Sequence, residues 1–96
     1  MPISAQRIIS NAQVAIETAE NIYADIYERK YKEPDYLMHL CLQVYSCCDE
    51  ARGMLDTLTK AEYDKNKGAY HELSTIIAHI KNQTKKEINE ITGLNI

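Results

Sequence analysis

Three histidines, three cysteines and a run of tyrosines among cations are the side chains of this 96-residue sequence that offer more than packing. Tyr23, Tyr27 and Tyr31 recur every four residues and Tyr36 follows, interleaved with Arg29, Lys30 and Lys32. Rings at that spacing share one face of a helix. Tyr and Arg bury large, rigid area while keeping their polar ends satisfied, which makes the cluster a candidate surface for another protein. Rings beside cations also stack bases and neutralise phosphates, so a small anionic ligand such as a nucleotide is the second reading. Lys81, Lys85 and Lys86 would join this basic region if the ends of the first and third helices meet, whereas Glu28, Glu33 and Asp35 dilute its field. Tyrosines at helical spacing also serve simply to cover the edge of a core with their hydroxyls in water.

Imidazole works as acid, base, metal ligand or phosphoryl acceptor. Asp35 and His39, four apart, could present two ligands, but His71-Glu72 lacks the second histidine of an HExxH pair. No metal and no other cofactor is expected. In Ala78-His79-Ile80-Lys81 a histidine precedes a lysine on an amphipathic stretch and looks like a phosphoryl acceptor with a cation beside it, so phosphotransfer through His79 is a third reading. Histidine phosphotransfer domains carry a glycine after that lysine, where Asn82 stands here, and no family is assigned. Cys41, Cys47 and Cys48 are odd in number and confined to one segment, which reads as reduced thiols serving as small apolar residues. Without a glycine-rich phosphate loop or a G-x-S-x-G element, and with carboxylates scattered over polar faces, the expectation is a protein that is not an enzyme.

The elements that must position these side chains are helical. Ser4 is a candidate N-cap, with Ile3 and Ile8 as a hydrophobic staple. Ile8, Ala12, Ala15, Ala19, Ile22 and Ile26 follow at four and three spacing, widened by Ile9, Ile16 and Tyr23. The three alanines predict close approach of a neighbour, with Ala15→Leu overpacking the contact. Pro34 ends this helix near Tyr31 or Lys32 and opens the second, aided by Asp35. Leu37, Cys41, Val44, Cys48, Ala51, Leu55 and Leu58 then keep heptad spacing. Met38, Leu42 and Tyr45 fall outside that stripe and are the expected self-association surface. Thr59 and Glu62 form a capping box, stapled by Leu58 and Tyr63. A third stripe runs Tyr63, Tyr70, Leu73, Ile77, Ile80, Thr84, Ile88 and Ile91, with a kink or a division into a short piece and a long one expected near Gly68 and Gly93 as the stop.

The sequence therefore predicts one all-α domain over 1–96, an up-down-up bundle of three long helices that self-associates. A hydrophobic share of 45% with 26% charged residues excludes a disordered chain, and a net charge of −3 disfavours nucleic acid and anionic membranes. No stretch approaches the ~18 apolar residues of a membrane span, and the start Met1-Pro2-Ile3-Ser4 lacks the pattern of a signal peptide, so a cytoplasmic location is expected. The function expected is a non-enzymatic protein-protein interaction module that binds and inhibits or regulates a partner. Antitoxins, immunity proteins, phage-encoded inhibitors and secretion chaperones share that size and acidity.

Overall fold

A computed structural model describes residues 4–28, 30 and 32–93, and all the regular structure among them is helical. Helix α1 spans Ala5–Tyr27, α2 Pro34–Leu55, α3 Lys60–Lys65 and α4 Lys67–Thr92. Among the described residues no helix is long and apolar enough to cross a membrane.

The starts follow local chemistry. The backbone N–H of Arg7 donates to Ser4 Oγ at 3.2 Å, Pro34 opens α2 with Asp35 in its first turn, and Thr59 and Glu62 exchange both hydrogen bonds of the capping box, at 3.2 and 2.9 Å. Ile3 of the expected staple lies outside the described residues. At the other end, Gly93 takes a left-handed φ of 74° and stops α4, a conformation that costs glycine no Cβ clash.

One boundary differs from the sequence expectation and another is located more closely. Helix α1 ends at Tyr27, not near residue 31, because Pro34 sets only the latest stop and the chain needs the residues before it to reverse direction. The N–H of Lys30 reaches back to the carbonyl of Asp25 at 3.3 Å and closes the last turn. The third helical segment divides near Gly68 into a short piece and a long one, as the sequence leads one to expect, with the break at Asn66 and Gly68 inside the first turn of α4. The Asn66 side-chain amide donates to the Glu62 carbonyl at 2.8 Å, the acceptor its own backbone N–H would use in a continuous helix. That N–H turns instead to Tyr63 at 3.0 Å, and Asn66 leaves helical angles at φ −124° and ψ 24°.

Helices α1, α2 and α4 each pack against the other two, most extensively α1 on α2, while α3 leans mainly on α4. Contacts between α2 and α4 run in opposite sense: Tyr45 and Asp49 meet Lys81, and Arg52 meets Ser74 and Tyr70. The core is one cluster. Ile9, Ala12, Ile16, Ala19 and Ile26 from α1 meet Cys41, Val44, Cys48, Ala51 and Leu55 from α2 and Leu73, Ile77 and Ile80 from α4. Ile8 and Ile22 lie half-exposed at the stripe's edge. Thr84 is wholly buried and Glu87 nearly so, where the sequence stripe placed Ile88.

The alanines behave differently from one another. Ala12 and Ala19 are wholly buried, whereas Ala15 borders an open cleft of about 300 Å³ between α1 and α2. Ala19→Leu is therefore the overpacking change, expected to cost about 1 to 3 kcal/mol. Ala15→Leu, which has the cleft to extend into, should cost less than 1 kcal/mol. Paired urea denaturation curves check this, and equal losses at the two positions would contradict it.

Candidate functional site

Four of the expected tyrosine-cluster residues are described, apart from Arg29 and Tyr31, which lie outside. Tyr23 and Tyr27 pair along α1 with ring centroids 6.1 Å apart, the first half-buried and the second 67% exposed. Tyr36 stands at the start of α2, its ring 6.3 Å from that of His39. The Lys30 ammonium lies 2.9 Å from Asp25 and 3.9 Å from Glu28, so two carboxylates already neutralise the charge assigned to an anionic ligand.

The expected self-association residues have different surroundings. Leu42 is 58% exposed. Met38 is half-buried, and Tyr45 is turned onto α4, its hydroxyl donating to the Lys81 carbonyl at 3.4 Å.

The histidines are dispersed. His39 Nε2 shares a hydrogen bond of 3.1 Å with the Gln43 amide, and His71 Nε2 shares one of 2.9 Å with the Tyr63 hydroxyl. His79 borders a cleft of about 230 Å³ between α1 and α4 with Glu20, Tyr23, Ile80 and Gln83. Residues two apart on a helix face away from one another. Lys81 accordingly sits on the α2 side, ion-paired with Asp49 and 5.9 Å from the Tyr45 ring centroid, too committed to serve as the cation beside His79. No group of three metal-ligating side chains comes together among the described residues.

No family model, curated protein or solved structure matches this chain. The assignment therefore rests on its own geometry.

A network the sequence reading did not single out joins α2, α3 and α4. The Arg52 guanidinium donates from Nη1 to the Tyr70 hydroxyl at 3.3 Å and to Ser74 Oγ at 3.0 Å, and the Tyr70 hydroxyl donates to Asp56 Oδ1 at 3.3 Å. The Tyr63 ring meets Tyr70 edge to face, centroids 4.9 Å apart at 85°, a preferred aromatic geometry. Leu55, Leu58 and Lys60 complete a pocket of about 270 Å³ beside these rings. The only available sequence signal was the seven-residue spacing of Tyr63 and Tyr70. Because α3 buries none of its residues, Tyr63 is its principal anchor. Tyr63→Ala should speed amide exchange across α3 while the centres of α1, α2 and α4 stay protected. Unchanged α3 exchange would show that the ring does not hold it.

The cysteines are all free thiols, Cys41 and Cys48 buried and Cys47 half-buried on the α1 side. Burial pushes the Cys48 thiol up to about 11, against a partial opposing pull from Lys81, and burial followed by the Glu50 carboxylate raises Cys47. Both are therefore protonated and poorly nucleophilic near neutral pH. An acid whose folded pKa is raised favours folding fully below its unfolded pKa and loses that contribution as pH climbs through the folded value. Stability should fall from about pH 9 to pH 11, and Cys48→Ala should flatten the decline. Urea midpoints at pH 8, 10 and 11 measure it, and an equally steep fall in the variant would contradict the assignment to Cys48.

Proposed function

We propose that this chain is a non-enzymatic protein-protein interaction module that binds a partner protein and inhibits or regulates it, and that it also associates with itself. The observation that carries the reading is the exposure of large apolar side chains at the middle of two long helices: Leu42 on α2, and Val14 on α1 at 61%. Covering a Leu or Val in an interface returns roughly 1.5 to 3 kcal/mol, and the chain's own packing leaves both out. Tyr27, and Tyr36 at 42% exposed, add rigid amphipathic contact area at the first helix connection. In this reading α1, α2 and α4 form the up-down-up bundle, a stiff frame that presents these side chains, and the protein works in the cytoplasm. An acidic chain of this size suits the antitoxin, immunity, phage-inhibitor or chaperone-like roles.

The test is capture of a partner. The immobilised chain should retain one specific host protein, and Leu42→Glu should release it while unfolding within about 0.5 kcal/mol of the parent, since Leu42 lies outside the core. Retention of nothing specific would remove the partner-binding reading. Equal retention by Leu42→Glu would move the site elsewhere.

A further inference from the structure

We infer that the open cleft between α1 and α2 is closed by α1 of a second copy of this chain, lying antiparallel about a two-fold axis near Ile16. This deepens the self-association part of the proposed function and rests on that part alone.

The cleft is bordered by Asn11, Val14, Ala15 and Thr18 of α1 and by Cys47, Glu50 and Met54 of α2. Its floor is small or apolar, Glu50 is exposed at the rim, and Val14 stands above it mostly in solvent. Along α1, the residues Arg7, Asn11, Val14, Thr18, Asn21 and Asp25 continue as one outer strip at helical spacing. An isologous interface requires that a strip be complementary to itself when reversed. This one is. Reversal about position 16 sets Arg7 opposite Asp25, Asn11 opposite Asn21 and Val14 opposite Thr18.

Each pairing has a physical basis. Arg7 makes no ion pair with another described residue, and Asp25 shares one of its oxygens with Lys30 and keeps part of its carboxylate exposed. A guanidinium from the second copy can bind that carboxylate with charge-assisted hydrogen bonds. The Asn side chains each offer a donor and an acceptor, so they pair with one another in either orientation. Val14 of each copy enters the other's cleft beside the Thr18 methyl and Cys47. A strip one helix wide, ~10 Å, over the ~27 Å from Arg7 to Asp25 gives a contact footprint of roughly 270 Å² per copy, well below the ~800 Å² per partner of a stable complex. The dimer is therefore a weak one that forms only at high protein concentration.

Sedimentation velocity of the full chain from about 5 to 500 μM tests the proposal. The parent should pass from monomer to dimer across that range. Arg7→Asp and Asp25→Arg should each weaken the dimer about five-fold through like-charge contacts, and the two together in one chain should restore it to within about two-fold. Val14→Glu should weaken it about ten-fold, and Leu42→Glu should leave it unchanged. Circular dichroism melts show whether each variant is folded, and the charge-reversed pair keeps the test informative if a single change is not. A parent that stays monomeric at 500 μM overturns this proposal together with self-association. A dimer broken by Leu42→Glu but not by Val14→Glu overturns this surface and leaves self-association standing. A dimer weakened by both charge changes without rescue in the double variant overturns the antiparallel register.

Discussion

The contact on which the rest of this molecule depends is the small-residue seam of α1 against α2. Ala12 and Ala19 keep almost nothing between the two backbones, so the helices come close and seal the core at those levels. Dense packing at so narrow a seam tolerates little added volume. The same economy of side chain has a second effect. Between the sealed levels, Ala15 and Thr18 are too short to fill the outer groove beside Cys47 and Met54, and the cleft is what remains.

The far side of α2 is organised by polar reach. Arg52 spans to Tyr70 and Ser74, Lys81 spans to Asp49, and Tyr45 reaches the Lys81 carbonyl, so the α2–α4 seam is laced by long side chains. Hydrogen bonds of this half-exposed kind contribute modestly to stability but fix one helix against the other in direction and register. One side of α2 is thus locked by the chain itself, while the other is closed at the core and open above it. This contrast, more than any single residue, separates the internal packing from the surface that the chain leaves uncovered.

Features set within a few residues of sequence were legible in advance. Ser4, Pro34, Thr59 with Glu62 and Gly93 each act through their own backbone neighbourhood, and each marks a helix end where its chemistry requires. The apolar stripes likewise named most of the core. The glycine at 68 marks the region where the third segment divides, but the break falls at Asn66 because one side-chain amide outcompetes the backbone for the Glu62 carbonyl, a choice that composition does not reveal. The network around Tyr70 is not legible in the sequence because Arg52 and Asp56 reach it from 18 and 14 residues away. The separation of Lys81 from His79 was available from helical geometry alone, since two residues on an α-helix subtend about 200°. The open cleft was invisible for a simpler reason: a pattern shows which residues face inward, not whether they are long enough to fill the space.

Val14 is exposed in the isolated chain, and in the proposed dimer a second copy covers it. Isotope-filtered nuclear Overhauser measurements on a mixture of labelled and unlabelled chain at about 0.5 mM observe that contact directly. They should show transfer between the Val14 methyls of one copy and the Thr18 methyl of the other. Intermolecular transfer confined to residues outside the α1–α2 cleft, or none at that concentration, would contradict it.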